Sequence, residues 1–388
     1  MQFGLPLNQL LDNVVSDGTL SHLDLQVAGI PIEIEAYAGL MQALGIAGYR
    51  DVNHPSVLDT AKSEHFTCFQ FDYDWRRDIS ENAALLDDFI ERKKRYVAGE
   101  YARRFGVIKS DIKFDLVAHS MGGLLTRYYL QYGRQPLPND GSRPTLDWSG
   151  AARVENVVLV GTPNDGSVLA LRDLVNGYQP SKLMPFQSPV VLGTMPSVYQ
   201  MLPPNASSWS VDDRGMPIQE NIFDSATWKK HGWGLAANDA DKVLKELLPD
   251  VTDEPTRCRI AEDHLAKCLY RAAQMRDSLE IAAPFPSTIK LHLFAGDGKW
   301  TASKVQSGSR GGKIKVIDQI AGDDTTTLAS ALTLRSVRSG EQIQSGCAIP
   351  WTTITKVNAT HRLLPSDPRF VSALIEVLRD PKLLRSQP

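Results

Sequence analysis

Strands and helices alternate along this chain, and that order constrains its fold more than any other feature of the sequence. Val154–Val160 reads VENVVLV, a nearly continuous apolar run of the kind found in strands that are buried on both faces. It follows another predicted strand, Lys113–Ala118, and a predicted helix, Leu124–Tyr132, which Gly133 ends. Alternation of this kind predicts an α/β fold in which helices flank a mainly parallel sheet.

Periodicity predicts the other elements of the same fold. Apolar residues spaced three and four apart predict amphipathic helices, whereas runs of aromatic and β-branched residues predict strands. The predicted helices are Pro31–Arg50, Glu81–Phe105, Arg259–Leu279 and Phe370–Arg379. The predicted strands of the sheet also include His65–Tyr73, Ile289–Ala295, Lys313–Ile320 and Trp351–Val357.

The alternation stops in the middle of the chain. Residues 168–286 contain several proline-rich turns, scattered apolar groups and one clear helix. A chain of 388 residues is long enough for one large α/β domain with an inserted cap. We therefore expect residues 1–167 and 287–388 to form the core and residues 168–286 to form a cap or lid.

Charge and residue spacing argue against several classes of ligand. The chain has 42 basic and 45 acidic residues and a net charge of −3, so it has no basic excess to neutralise the phosphates of nucleic acid. Its four cysteines form no Cys-x-x-Cys pair, and no histidine cluster with zinc spacing accompanies them. We therefore expect no nucleic-acid partner, no metal and no cofactor.

The chain as given has no recognisable targeting segment. It contains no run of about 18 apolar residues that would predict a membrane-spanning helix. Met1–Asp12 reads MQFGLPLNQLLD and lacks the basic start and the apolar centre of a secretory signal. A cytoplasmic location is the default expectation.

One serine lies between a predicted strand and a predicted helix, in the stretch AHSMG. A serine hydroxyl attacks a carbonyl only when it is exposed near a base and near donors for the developing oxyanion, and a tight strand-to-helix turn offers that position. The residues two before and two after the tip must be small, as Ala118 and Gly122 are. Ser120 is therefore the candidate nucleophile, while His119, in the variable position of the motif, is expected only to pack.

A base and an acid follow Ser120 in the chain order that such sites use. His361 lies between the last predicted strand and the final helix, where the base is expected. Asp297, Asp323 and Asp324 each follow a predicted strand in a turn that contains glycine, and such a turn can hold a carboxylate against an imidazole. Spacing alone leaves the three acids as alternatives.

Several stretches, in their order along the chain, resemble a known family. They are FDYDWRRD at Phe71–Asp78, AHSMGG at Ala118–Gly123, GTPNDGS at Gly161–Ser167, GTMPSVYQMLPPN at Gly193–Asn205 and GDDTT at Gly322–Thr326. Together they resemble the lecithin:cholesterol acyltransferase-like family of lipases and phospholipases. The resemblance implies an α/β-hydrolase fold with a cap, and a serine hydrolase that cleaves or transfers the acyl groups of lipid esters through an acyl-enzyme.

The resemblance also implies roles for individual residues. The nucleophile of the family falls on Ser120 and its base on His361. Its acid follows the glycine of a GD[G/D]T motif and falls on Asp323, with Asp324 and then Asp297 as the alternatives. These three roles together imply a Ser-His-Asp catalytic triad.

The resemblance raises a question about the start of the chain. Family members carry a strand and a Pro-Gly loop upstream, and this loop supplies one oxyanion donor; the backbone N–H of Met121 corresponds to the other. Met1–Asp12 is expected to begin after that loop, and losing one donor costs about 10²–10³ in rate. The alternative function is therefore a catalytically silent hydrolase fold that binds lipids or a partner protein. A protease or amidase on the same fold is a third hypothesis.

Two further segments are expected near the site. Part of the site wall is expected to come from Tyr73, Asp74, Trp75, Arg76 and Thr162. In the alternative interpretation, Asp74 and Arg76 pair with each other and Trp75 packs, as in a purely structural turn. The apolar residues of Leu183–Leu202 are expected either to hold acyl chains or to form the core of the cap. The cap as a whole is expected to contact a membrane or lipid interface transiently.

Overall fold

The computed structural model describes most of the chain. The described residues are 16, 22–27, 30–35, 37–52, 65–179, 185–281, 283–308, 312–336, 342–344 and 349–379. Met1–Asp12, on which the expectation about the start of the chain depends, lies outside them. Leu183 and Met184, the first residues of the apolar stretch Leu183–Leu202, also lie outside them.

The described residues contain the following elements. The strands are β1 His22–Val27, β2 Ile30–Glu35, β3 Phe114–His119, β4 Val154–Val160, β5 Ser210–Val211, β6 Lys290–Gly296, β7 Lys299–Ser307, β8 Ile314–Gly322, β9 Leu334–Ser336, β10 Gln342–Gln344 and β11 Thr353–Val357. The helices are α1 Ala38–Ile46, α2 Ile79–Phe105, α3 Met121–Tyr132, α4 Val168–Asn176, α5 Pro189–Leu192, α6 Pro196–Gln200, α7 Ala206–Trp209, α8 Ser225–His231, α9 Asp241–Leu247, α10 Glu254–Leu279, α11 Leu328–Leu332 and α12 Pro368–Leu378.

Within the described residues, four parallel strands form the main sheet, in the order β11-β6-β4-β3. β4 has a partner on each side, and its side chains alternate between two apolar layers. Val157 and Leu159 belong to one layer, and Val158 and Val160 belong to the other. Burial on both faces explains the apolar run in this strand, and the predicted parallel sheet is confirmed.

Helices cover both faces of this sheet. α2 and α3 pack together in the layer of Val157, while α1 and α12 pack in the layer of Val158. α2 begins after Asp78, whose carboxylate accepts a hydrogen bond from the Ser80 N–H, and it ends at Gly106. Because the strands of the main sheet are parallel, their carboxyl ends meet at one edge of the sheet, and ligands bind at this edge in sheets of this kind.

A second apolar core lies outside the main sheet. It joins helices α4 to α10 to the hairpin β7–β8, and β5 pairs with β7 in a separate three-stranded sheet. The prediction that Lys313–Ile320 continues the main sheet is therefore wrong, because Val305 and Ile314 of the hairpin are buried in this second core. We propose that residues 168–286 form the predicted cap and that the hairpin packs on it.

The apolar stretch Leu183–Leu202 contributes mostly to this second core. Its buried members are Val190, Leu192, Met195, Val198, Tyr199 and Leu202. They pack with residues of the long helix α10, such as Leu265 and Leu269. These buried positions form part of the second core.

The helix predicted at Pro31–Arg50 begins later than expected. Ile30–Glu35 reads IPIEIE and forms strand β2, which pairs antiparallel with β1. The period of two in this stretch suits a strand, and the helical spacing of apolar residues begins only at Tyr37. The helix itself runs from Ala38 to Ile46.

The strand predicted at His65–Tyr73 does not form. Its aromatic side chains pack against α2 instead of entering a ladder. The ring of Phe69 meets the ring of Tyr96 edge-on at 5.8 Å, and the ring of Phe71 lies 5.2 Å from the ring of Phe89. Aromatic residues favour strands in isolation, but here contacts with a helix decide their structure.

The two longest helices are rich in charged residues. α2 contains 27 residues and α10 contains 26. Charged side chains are costly at the centre of a bilayer. In the part of the chain that the structure describes, no helix combines the length and the apolar character needed to cross a membrane.

Candidate active site

Ser120 lies at the tip of a tight turn between β3 and α3. Its backbone has φ +56° and ψ −128°, a conformation that is strained for a residue with a side chain and that clusters at functional sites. The Ser120 N–H donates to Val160 O on the neighbouring strand at 2.8 Å, and Ser120 O accepts from the Gly123 N–H at 2.9 Å. These bonds hold the strained residue at the carboxyl end of β3.

Small residues surround this turn, but the tightest position differs from the predicted one. A Cβ on Gly122 would lie 3.7 Å from Tyr73 Oη and 3.8 Å from Ala118 Cβ, both ordinary contact distances. A Cβ on Gly123 would lie 1.9 Å from Thr162 Oγ1, which is a severe overlap. The turn therefore requires glycine most strictly at Gly123.

Three side chains from distant parts of the chain form one hydrogen-bonded line. His361 Nε2 lies 2.8 Å from Ser120 Oγ, and His361 Nδ1 lies 2.8 Å from Asp323 Oδ2. The Asp323 carboxylate accepts from Nδ1–H, so Nε2 keeps the lone pair that accepts the Ser120 O–H. The side chains of His361 and Asp323 are only 13% and 1% exposed, so this line is largely shielded from water.

Asp323 is held in place by its own turn. Its Oδ1 accepts hydrogen bonds from the N–H groups of Thr325 at 3.0 Å and Thr326 at 2.6 Å. The Thr326 hydroxyl donates in turn to Gly161 O at 3.1 Å. With Oδ1 fixed in this way, Oδ2 is free to face His361.

His361 lies in the loop between β11 and α12, as the sequence predicts. Its N–H donates to Asp323 O at 2.7 Å, so backbone and side chain both bind the same partner. Gly161 lies beside the pair with φ +57°, and a Cβ there would lie 3.0 Å from Asp323 Oδ2 and 3.1 Å from His361 Nδ1. A side chain at residue 161 would strain the backbone and press on the pair.

The two alternative acids lie away from the imidazole. Asp324 is exposed, and its Oδ1 accepts from the Thr325 hydroxyl at 3.0 Å. Asp297 follows β6, and its N–H donates to Val357 O at 3.3 Å. Among the described residues neither carboxylate contacts His361, so the structure brings Asp323 alone of the three to the imidazole.

A second imidazole lies beside His361. His119 Nε2 lies 2.9 Å from His361 O, His119 Nδ1 lies 2.8 Å from Tyr37 Oη, and the two imidazole rings are 4.7 Å apart. Burial, with a smaller contribution from His361, lowers the pKa of His119 to about 3, so the ring is neutral. The sequence predicts only packing for His119 and gives no sign of Tyr37, because the two lie 82 residues apart. The one available signal is the position of His119 directly before Ser120.

Tyr73 borders the turn, with its hydroxyl facing Gly122. This hydroxyl makes no hydrogen bond to any other part of the chain that the structure describes. Burial, with a smaller contribution from Tyr37, raises the pKa of Tyr73, so the hydroxyl keeps its proton. Tyr73 therefore presents a donor without a partner in the described chain, close to Gly122 in the turn that carries Ser120.

The other residues of the predicted wall are Asp74, Trp75, Arg76 and Thr162, and two of them bind each other. Arg76 Nε and Nη2 donate to Asp74 Oδ1 at 2.8 Å and to Asp74 Oδ2 at 2.7 Å. Burial raises the pKa of Asp74, but the hydrogen bonds from Arg76 outweigh burial and lower it overall. Trp75 is 45% exposed, so a large part of its ring faces solvent. Thr162 is fully buried and packs against Gly123 in the first turn of α3.

Met121 begins α3 directly after Ser120. The first N–H groups of a helix have no acceptor within the helix, and they carry the positive end of its dipole. The Met121 N–H, directly after Ser120 in the chain, is therefore a donor of the kind that stabilises negative charge on an oxygen.

The parallel sheet and the strand-to-helix turn at Ser120 define a protein of the α/β-hydrolase fold. A family model described as lecithin:cholesterol acyltransferase matches residues 61–277, which is more than half of the chain. The chain therefore belongs to the lecithin:cholesterol acyltransferase family. The match includes Ser120 and Tyr73 but ends before Asp323 and His361.

A solved structure supports the fold independently. The matching chain comes from the crystal structure of the Tle4–Tli4 complex, with a TM-score of 0.57 and 15% sequence identity over 89% of this chain and 81% of that chain. At this identity the likeness concerns the fold alone, and the α/β-hydrolase fold predicted from the sequence is confirmed. No curated protein sequence matches the chain.

Proposed function

We propose that this protein is a serine hydrolase or acyltransferase that acts on the acyl esters of lipids. Membership of the lecithin:cholesterol acyltransferase family supports an acyl-ester substrate, and a lipid ester in particular. The observation that carries the proposal is the line from Ser120 through His361 to Asp323, with 2.8 Å at each step. A hydroxyl, an imidazole and a buried carboxylate in this order can activate the hydroxyl for attack on a carbonyl.

In the first half of the proposed reaction, Ser120 Oγ attacks the ester carbonyl as its proton passes to His361 Nε2. Asp323 holds the imidazole through Nδ1–H and stabilises the cation that forms. The carbonyl oxygen becomes an oxyanion, to which the Met121 N–H donates. When the bond from the acyl carbon to the alcohol oxygen breaks, His361 gives its proton to that oxygen. The acyl group remains on Ser120 as an ester.

In the second half, the same groups release the acyl chain. His361 takes a proton from water or from a second alcohol as the oxygen of that molecule attacks the acyl carbon. The bond to Ser120 Oγ then breaks, and Ser120 recovers its proton from His361. Water gives a free acid and an alcohol gives a new ester, so one set of residues serves both hydrolysis and transfer.

We include Tyr73 in this proposal as part of the wall that binds the substrate. Its hydroxyl is a protonated donor without a partner in the described chain, and it lies beside the turn that carries Ser120. A lipid ester offers carbonyl oxygens that can accept from such a donor.

We also include in the proposal a contact between the cap and a lipid interface. Phe186 is apolar and 56% exposed, so its side chain is a candidate for this contact.

Hydrolysis of p-nitrophenyl esters of short and long acyl chains tests this function. We expect the wild-type protein to release p-nitrophenol and Ser120→Ala to lose at least about 10³-fold in kcat. Ser142→Ala, at an exposed serine outside the site, is the matched control and should behave as wild type.

A p-nitroanilide of the same acyl group tests the amidase hypothesis and should be cleaved far more slowly. A folded protein that binds lipid vesicles but cleaves neither substrate would instead support the catalytically silent alternative.

A further inference from the structure

His119 contacts His361, yet the mechanism above gives it no role. Its ring lies between Tyr37 on one side and the backbone of His361 on the other. We infer that His119, supported by Tyr37, is a positioning residue that holds His361 at the distance from Ser120 which proton transfer needs. The inference rests on the proposed function and adds two side chains to the site.

The direction of each hydrogen bond follows from the chemistry of the acceptors. His361 O is a carbonyl oxygen and can only accept, so His119 Nε2 carries the hydrogen of the 2.9 Å bond. The neutral ring then has its lone pair on Nδ1, which accepts from the Tyr37 hydroxyl at 2.8 Å. Tyr37 therefore selects the tautomer of His119 that can donate to His361.

His119 is not a second base for Ser120. Burial lowers the pKa of His119 to about 3 and raises the pKa of Tyr37 to about 12, so both groups stay neutral near pH 7. The donor at Nε2 is taken by His361 O, and within the described residues no contact joins the His119 ring to Ser120 Oγ. His119 therefore acts through His361.

The hydrogen bond from His119 is the second of two hydrogen bonds that hold the His361 backbone in place. The His361 N–H donates to Asp323 O at 2.7 Å, and His361 O accepts from His119, so the residue is held on both sides. Because His119 directly precedes Ser120, this bond joins the loop of the base to the strand that ends at the nucleophile. In such an arrangement a displacement of about 1 Å can lower a rate about 100-fold.

Two amide variants separate positioning from packing. In His119→Gln the side-chain nitrogen can take the place of Nε2 and donate to His361 O, whereas in His119→Asn it is too short. For a p-nitrophenyl ester, we expect kcat to fall about 10- to 100-fold in His119→Asn and less than about 5-fold in His119→Gln, with KM nearly unchanged in both. Tyr37→Phe, which removes the donor to Nδ1, should lower kcat by an intermediate factor.

His264 provides a matched control. Its Nε2 also lies close to a backbone oxygen, Thr194 O at 3.0 Å, but within the cap. His264→Asn should lower the thermal unfolding midpoint and leave kcat at the wild-type value. The same unfolding measurement shows whether each His119 variant is folded.

The outcomes distinguish this inference from the proposed function. A wild-type protein that cleaves no ester contradicts the proposed function itself. An active wild type with an unchanged kcat in folded His119→Asn, or with equal losses in the Asn and Gln variants, overturns the inference and leaves the function intact. If His119→Asn does not fold, folded Tyr37→Phe decides: a reduced kcat supports the inference, and a wild-type kcat overturns it.

Discussion

Thr162 Oγ1 occupies the space that a Cβ on Gly123 would need, because the two atoms would lie only 1.9 Å apart. Thr162 is fully buried at the carboxyl end of β4, so it has little freedom to move aside. This packing fixes how closely the first turn of α3 approaches the neighbouring strand. The position of Ser120, three residues before Gly123, depends on that approach.

We expect Gly123→Ala to destabilise the protein by about 1–3 kcal/mol through overpacking. Displacement of the turn should also lower esterase activity in the fraction that folds. Urea unfolding and ester hydrolysis measure the two effects. Gly122→Ala is the control, since a Cβ there meets its neighbours only at 3.7 and 3.8 Å. An equal loss of stability in the two variants would contradict this account of the turn.

Asp323→Asn is expected to lower kcat for ester hydrolysis on the order of 10³- to 10⁴-fold, because an amide can hold the imidazole in the wrong tautomer. Asp324→Asn and Asp297→Asn should stay within about threefold of wild type, because neither side chain contacts His361 in the described structure. Steady-state kinetics on the three variants make the comparison. A large loss in Asp324→Asn with little loss in Asp323→Asn would reassign the acid.

Tyr73→Phe removes a single oxygen atom from the proposed substrate wall. The hydroxyl has no partner in the described chain, so its removal leaves no other group unsatisfied and should hardly change stability. If it donates to the substrate or to the oxyanion, kcat/KM should fall about 10- to 100-fold. Tyr128→Phe, at a buried tyrosine of α3 whose hydroxyl donates to Gln135 O at 2.9 Å, is the contrasting control: it should lower stability and leave the kinetics at the wild-type values. Unchanged kinetics in Tyr73→Phe would remove Tyr73 from the site.

Asp173 on α4 should make stability depend on pH. Burial raises the pKa of Asp173 to about 6, although Arg172 partly offsets the effect. The folded state then binds more protons than the unfolded state between about pH 4 and pH 6, so the carboxyl lowers the free energy of unfolding as pH rises through this range. Asp173→Asn should therefore gain about 1–3 kcal/mol over wild type at pH 7 and little at pH 4.

Urea unfolding of wild type and Asp173→Asn at both pH values measures that difference. Asp239→Asn, at a side chain that is 73% exposed, is the control and should show no such dependence. A gain for Asp173→Asn that is the same at pH 4 and pH 7 would show that burial of the charge is not its cause.

The parts of the fold that sequence predicts well depend on local signals. Val154–Val160 matches the predicted strand because a buried central strand needs a continuous apolar run. Ser120 and His361 lie in turns that follow strands, so the order of elements predicts their positions in the fold. Asp323 needed the resemblance to a family, since the sequence around Asp297 offers a similar turn.

The parts that sequence does not predict depend on distant contacts. The sequence of β8 fits a strand of the main sheet and a strand of the second core equally well. Burial of Ile314 in the second core decides its place. Gly122 and Gly123 are the same residue type, and only the contact with Thr162, just after β4, shows at which of the two a Cβ has no room. Tyr37 contacts His119 although the two lie 82 residues apart in the chain, so no local sequence pattern predicts this contact.

The most direct test of the central claim is covalent labelling by a fluorophosphonate probe, with the modified residue identified by peptide mass spectrometry. A serine that donates its proton to His361 is nucleophilic enough to attack phosphorus. We predict one label per chain on Ser120, absent in Ser120→Ala and strongly slowed in His361→Gln. A folded protein that takes no label, or that takes it on another residue, would contradict the claim that Ser120, His361 and Asp323 act together as an active site.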